Sequence, residues 1–369
     1  MDHLTIILLG AACFFIGATG LPLLHYDHWT VRLFDFPRVQ LTIGATATLG
    51  GLGLVGLSSL VDFVIAGLLG ASIVYQIDRI LPYTPLAPQQ VRSASPELES
   101  DRLSVLVANV ERDNRDAEAL LTLVKERRPD LVFAVETDAW WADQLRALDE
   151  LYPHRIEQPQ ENAYGMVLYA RRPLKEAEVR CLVEEDVPSI HAQVSLAAGP
   201  SVYLHCMHPR PPHPTHDPDT TERDAELLHL ARQIRDREAP TLVVGDLNDV
   251  SWSYTTRLFQ RLSGLLDPRV GRGAYNTFHA RYPLFRYPLD HVFHSPHFRL
   301  VDLEVLPYIG SDHFPVYIDL QYDPEAPDAH PEPEADASVE AQADHELQKL
   351  QEKKGSTPNA DSSESTSTP

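Results

Sequence analysis

The stretch "IGSDHFPVYIDL" (residues 309–320) sets an acid and an imidazole, Asp312 and His313, immediately before a run that reads as a buried strand. Burying such groups at a strand's mouth is costly without a partner or a purpose. The same grammar recurs upstream. "LSVLVANV" is an apolar β-rich run closing on Asn109, and "LVFAVET" closes on Glu136. Tyr164 and Gly165 precede "MVLYAR", "SVYLHCMH" ends on His208, "TLVVGDLND" ends in Asp246 and Asn248, and "PLDHVF" carries Asp290. Two helical patterns interrupt the strands, "RDAEALLTLVKERRPD" and "TERDAELLHLARQIRDRE". Strands outnumber helices, so the pattern predicts a β-rich α/β sandwich rather than a simple doubly wound sheet. Polar groups at successive strand ends are expected to gather on one rim.

Those residue types suit attack of water on a phosphate ester. A hard divalent cation takes oxygen ligands, often one or two carboxylates. Glu136 is the expected main ligand, with Asp312 and the Asn109 amide oxygen beside it. A water nucleophile needs a carboxylate, here Asp246, and Asn248 can donate to a phosphate oxygen. His208 and His313 can face the charge developing on phosphorus, with Asp290 holding His313 protonated. Singly, each has an ordinary reading: an acid after a strand is often a cap or turn residue, and a lone His is often a core residue. The ordered set is what departs from chance.

That set resembles the endonuclease/exonuclease/phosphatase superfamily. The resemblance is carried by "VANV", "DLVFAVET", "YGMVLYAR", "HCMHPRPP", "GDLND", "LDHVF" and "GSDHFPV", across roughly residues 103–320. It implies a four-layer α/β/β/α sandwich of two mixed sheets, Mg²⁺ or Mn²⁺ as cofactor, and the residue roles just given. Leu247 stands where relatives usually carry an aromatic, which is expected to be a packing exchange.

Around this domain the composition changes. The chain has 369 residues and a formal net charge of −22, which disfavours sequence-blind gripping of duplex nucleic acid. Three apolar stretches, residues 4–24, 39–57 and 59–77, are expected to be transmembrane helices, forming an anchor over residues 1–80. The first lacks a basic leader and a small-residue cleavage site, so it is read as retained. Arg32, Arg38, Arg79 and Arg92 flank these spans on the side of the large domain, which predicts a multi-pass inner-membrane protein with that domain in the cytoplasm. Asp62 is expected at the membrane interface. Residues 81–101 read as a Pro/Ser-rich linker and residues 102–322 as the catalytic domain. Residues 323–369 read as a disordered acidic tail, with room for a short helix near residues 341–354. Three cysteines without CxxC spacing give no disulfide framework.

The segment 257–291 alternates Arg with aromatics. Arg281 and Arg286, with Tyr164, are the expected substrate contacts, suited to nucleic acid or to a phospholipid headgroup. The alternative to an enzyme is a catalytically silent, membrane-tethered scaffold of the same fold. Oligomeric state has no signature in the sequence.

Overall fold

The computed structural model describes residues 3–94, 100–197, 199–212, 218–330, 333 and 335–356. Three helices come first: α1 (His3–Gly20), then after a one-turn α2 (Trp29–Arg32) the pair α3 (Arg38–Val55) and α4 (Leu60–Ile80). The domain follows as β1 (Arg102–Asn109), α5 (Ala117–Arg127), β2 (Leu131–Val135), α6 (Ala139–Leu145), β3 (His154–Gln158), β4 (Met166–Ala170), β5 (Leu174–Arg180), β6 (Ser189–Ser195) and β7 (Ser201–Met207). It continues as α7 (Thr221–Arg235), β8 (Thr241–Asp246), α8 (Tyr254–Ser263), β9 (Asp290–His294), β10 (Phe298–Val305), β11 (Val316–Tyr322) and α9 (Ala337–Ser356).

The strands make two mixed sheets. One has the order β10-β11-β1-β2-β4-β3, the other β5-β6-β7-β8-β9. Among the described strand pairs, β1–β2 and β7–β8 are parallel and the others antiparallel. Side chains alternate between the two faces of a strand, and here both faces are covered, so the central strands read as unbroken apolar runs. Leu103, Val105 and Val107 of β1 meet Leu242 and Val244 of β8 in the core between the sheets. Leu106 and Ala108 face the other way, onto Leu120 and Val124 of α5 and Trp141 of α6. On the far side α7, α8 and α9 cover the second sheet. The result is the expected α/β/β/α sandwich. Leu247 is fully buried in the helix-side core, as expected of a packing exchange.

The N-terminal helices pack on one another through Ala12, Ala45, Leu52 and Leu69. A Cβ on Gly44 would strike the Phe15 ring and one on Gly51 would press on Leu8, so these two glycines let α3 pack closely on α1. Two stretches, His3–Leu24 and Leu60–Tyr83, are long and apolar enough to cross a membrane. The expectation of three such spans is thus met by two. The middle helix opens with Arg38 and Gln40 and is not among them. Its Arg38 donates to Gln76 of α4 at 2.8 Å, and Gln76 donates to Thr19 of α1 at 3.0 Å, tying all three helices at their domain-side end. Asp62 accepts from the backbone of Ser58 and Ser59 in a capping box at the start of α4.

Both flanks of the domain are better ordered than composition suggested. The expected linker is packed. Tyr83 donates to the Ser251 carbonyl at 2.8 Å, Val91 is fully buried in the inter-sheet core, and Ala94 N–H donates to the Leu300 carbonyl at 2.7 Å. Residues 95–99 lie outside the described residues. The expected disordered tail contains the 20-residue α9, whose Val339, Ala343, Leu347 and Leu350 fall on one face and dock on α7 and α8. Residues 357–369 lie outside the described residues.

The connector between α1 and α3, residues 21–37, docks on the domain too. Buried Arg32 pairs with Asp27 and with Asp224 of α7, each at 3.1 Å, and the Trp252 indole donates to the Asp35 carbonyl at 2.7 Å. Lys349 of α9 reaches Asp27 at 2.8 Å.

Candidate active site

Strand register brings the polar residues together. Asn109 is the last residue of β1 and lies beside Val135, so Glu136 follows at the same rim. Asp246 ends β8 directly opposite Asp290, the first residue of β9. β11 pairs with β1 from Val316, which leaves Ser311, Asp312 and His313 just beyond the ladder, over the same rim. The Asn109 amide joins the two sheets: its Nδ2 donates to Glu136 Oε1 at 2.8 Å and to Asp246 Oδ2 at 3.0 Å. Its Oδ1 accepts from Glu111 N–H at 2.9 Å. A buried amide with both ends engaged fixes two carboxylates that belong to different sheets.

His313 Nδ1 hydrogen-bonds Asp290 Oδ2 at 2.8 Å, and its Nε2 lies 3.5 Å from Asp246 Oδ2. Burial opposes a charge on this ring, but the Asp290 and Asp246 carboxylates outweigh it and push its pKa up to about 10. His313 is therefore an imidazolium at neutral pH, with Nδ1–H donating to Asp290. His208 Nδ1 lies 3.2 Å from the Asp246 carbonyl and 3.9 Å from its carboxylate. Asn248 N–H donates to Asp246 Oδ1 at 2.9 Å, and its side-chain Nδ2 donates to the Pro209 carbonyl at 3.0 Å.

Three non-glycine residues here adopt left-handed backbone: Glu111, Glu136 and Asn248, at φ of 55°, 61° and 53°. Such conformations cost about 1 kcal/mol or more each and concentrate at sites that must aim a side chain. Gly245 and Gly165 serve close approach instead. A Cβ on Gly245 would fall 1.8 Å from the Met207 carbonyl oxygen, and one on Gly165 would fall 1.9 Å from that of Thr137.

The carboxylates crowd. Burial, and then the Glu111, Glu136 and Asp246 charges, push Asp312 up to about 6 against the pull of His313. Four acids close to one another favour a hard cation between them, and the carboxylate oxygens of Glu136 and Asp312 are of the type that could hold a divalent metal. Asp246, Asp290 and His313 also present ligand atoms within 4.8 Å of one another. There the ring is a cation already bonded to Asp290, which opposes metal ligation.

All eight residues expected to hold metal or carry chemistry thus converge. The expected substrate contacts divide. Tyr164 stands over Arg210 and near His208, with ring distances of 5.1 and 6.1 Å. Arg281 pairs with Glu111 and donates to the Gly310 carbonyl at 2.9 Å, on the rim. Arg286 donates to the Ala280 carbonyl at 3.0 Å and stacks over Phe314, so its guanidinium braces its own loop. Arg269 is buried against Asp267 and His291, and Arg272 donates to the Val91 and Pro268 carbonyls. The segment is therefore a folded wall and not a free cationic stripe.

Sequence reasoning passed over three participants. Glu111 accepts from Asp312 N–H at 3.0 Å; its place two residues after Asn109 was the available signal. Ser311 Oγ donates to the Asn109 carbonyl at 2.8 Å and accepts from His313 N–H at 3.0 Å, which fixes the loop. Asn114 Nδ2 donates to the Ile309 carbonyl at 3.0 Å, beneath a left-handed Gly310.

Residues 106–313 match the model of the Endonuclease/Exonuclease/phosphatase family. Among solved structures, the chain is similar to an endonuclease/exonuclease/phosphatase from Beutenbergia cavernae, with 22% identity, 60% of this chain and 72% of that one covered, and TM-score 0.50. It is also similar to D. rerio TDP2 complexed with a single-strand DNA product, with 19% identity, 60% and 99% covered, and TM-score 0.51. At these identities the likeness concerns the fold. No curated protein matches the sequence.

Proposed function

Because this chain belongs to the endonuclease/exonuclease/phosphatase family, whose members are metal-dependent hydrolases of phosphate esters, we propose that it is a membrane-anchored phosphodiesterase acting by in-line attack of water. The observation that carries this reading is the Asn109 fork. It holds a metal-type carboxylate, Glu136, and a base-type carboxylate, Asp246, around one opening that a buried imidazolium also faces.

Glu136 and Asp312 would hold Mg²⁺ or Mn²⁺, with Asn109 setting the Glu136 carboxylate. The metal supplies charge neutralisation at the phosphate. Asp246 accepts the proton of the attacking water as the new P–O bond forms and the ester P–O bond breaks. The leaving oxygen departs with the bonding pair and takes a proton from solvent. His313 donates Nε2–H to a non-bridging oxygen, and Asn248 offers its second amide N–H, the first being held by Pro209. His208 lines the same opening.

The test uses the full-length protein in detergent with bis(4-nitrophenyl) phosphate and Mg²⁺, Mn²⁺ or EDTA. Turnover with metal and none with EDTA is the expected result. In Glu136→Gln the metal concentration for half-activity should rise by about tenfold or more, since one charged ligand is lost. An unchanged metal titration would remove Glu136 from the metal site. Metal-independent silence of a folded wild type would favour the scaffold.

We further place the domain in the cytoplasm. All four flanking Arg lie on its side of the helices, and none lies on the opposite side. A C-terminal alkaline phosphatase fusion should be inactive in a bacterial host; an active fusion would reverse the orientation.

A further inference from the structure

A cavity of about 240 Å³ opens beside the catalytic rim, and the family domain alone does not form it. One wall is Trp29, Leu33 and Phe36 of the connector between α1 and α3. Phe278, its ring 4.9 Å from that of His313, forms part of the other, and Asn248 and His313 close the inner end. Two guanidiniums border the cavity, but both are engaged. Arg32 is held by Asp27 and Asp224, and Arg223 by Asp224 and Asp249. What remains is apolar and runs to the atoms that would touch the phosphate.

A second feature lies beside it. Tyr282, Leu284 and Phe285 form an exposed apolar lip, with relative exposures of 59%, 77% and 58%. Gln40, in the first turn of α3, donates to the Leu284 carbonyl at 2.6 Å and fixes the lip at the level where the helices leave the domain. An exposed apolar patch at that level suits the headgroup boundary of a bilayer. Nucleic acid suits it poorly, because such ligands need cationic surface, whereas Arg269, Arg272 and Arg286 of this wall are occupied internally and Arg281 on the rim is paired with Glu111.

We propose that the substrate is an amphiphilic phosphoester drawn from the membrane, with its hydrocarbon part in this cavity while its phosphate meets His313 and Asn248. This rests on the phosphoesterase reading and deepens it. The connector is thus a specificity element as well as a tether, and its Leu33 is a specificity-determining position.

The experiment compares methyl, butyl and octyl 4-nitrophenyl phosphodiesters and a single-stranded oligonucleotide, using the full-length protein with Mg²⁺. These chains are short enough to stay monomeric. The expected result is a rise in kcat/KM on the order of a hundredfold from methyl to octyl, mainly through KM, with the oligonucleotide poorest. Leu33→Asp should abolish the octyl advantage, and Leu33→Met should retain it. Leu33 is half exposed, so neither change threatens the fold. Equal turnover of methyl and octyl esters, a preferred oligonucleotide, or an octyl advantage that survives Leu33→Asp would overturn the inference while leaving the phosphoesterase reading standing. Silence toward every ester, in protein that melts cooperatively, would overturn that reading and the inference with it.

Discussion

Replacing Asp246 by Asn will lower phosphoester turnover by about 10³-fold or more without unfolding the protein. The change is nearly isosteric. The amide oxygen can still accept from Asn248 N–H, which now bonds Asp246 Oδ1 at 2.9 Å. The other end fares worse, because the new NH₂ group would face the Asn109 amide, donor against donor, where a 3.0 Å bond now stands. A mismatch of that kind costs about 1–3 kcal/mol, which a domain of this size tolerates. Chemistry suffers far more, since the proton of the water loses its acceptor. Thermal melts and initial rates on the same preparation decide the matter. A variant keeping more than about a tenth of wild-type activity would remove Asp246 from the proton-accepting role.

The second large effect is at His313. Loss of its side chain should lower kcat by about 10²- to 10³-fold, the range for removing a donor to developing charge. Its partner gives a sharper signature. The folded-state pKa of His313 lies above its ordinary 6.5, at about 10. Its stabilising contribution is therefore complete below about pH 6.5 and is lost as pH rises through about 10. Activity that needs the imidazolium should fall over the same alkaline range. Asp290→Asn removes the leading carboxylate, so both the activity limb and the loss of stability should move toward neutral pH. A pH–rate profile with an unmoved alkaline limb would show that Asp290 does not hold the His313 proton.

How much of this was legible beforehand differs by residue. The central strands were readable because both faces are buried, so the alternation of the pleat becomes an apolar run closed by a polar residue at the rim. β3 and β5 were not. They are edge strands with sequences HRIEQ, half-buried, and LKEAEVR, largely exposed, and their place comes from pairing with β4 and β6. α9 was legible only in part. Its apolar face is four residues in an acidic, Ser- and Pro-rich surrounding, and it is stable because α7 and α8 complete it. The catalytic set was legible because each member lies at or beside a strand terminus. The Arg-rich wall misled for a different reason: composition gives the charge of Arg269, Arg272 and Arg286, but not the carbonyls and carboxylates that absorb it.

The Arg32–Asp224 pair has a consequence for how the chain is made. Its members stand 192 residues apart in sequence, and Asp224 also holds Arg223, whose Nη1 donates to the Asn248 carbonyl at 2.7 Å. At ordinary synthesis rates, roughly 10–40 s separate the appearance of Arg32 from that of its partner. The first connector must therefore wait undocked while about half of the domain is made. Closure of this long-range contact is a late assembly event, and it reaches the backbone of the Asn248 loop. A nascent chain cut short before α7 would hold the three N-terminal helices beside half a sandwich, with the rim still unassembled.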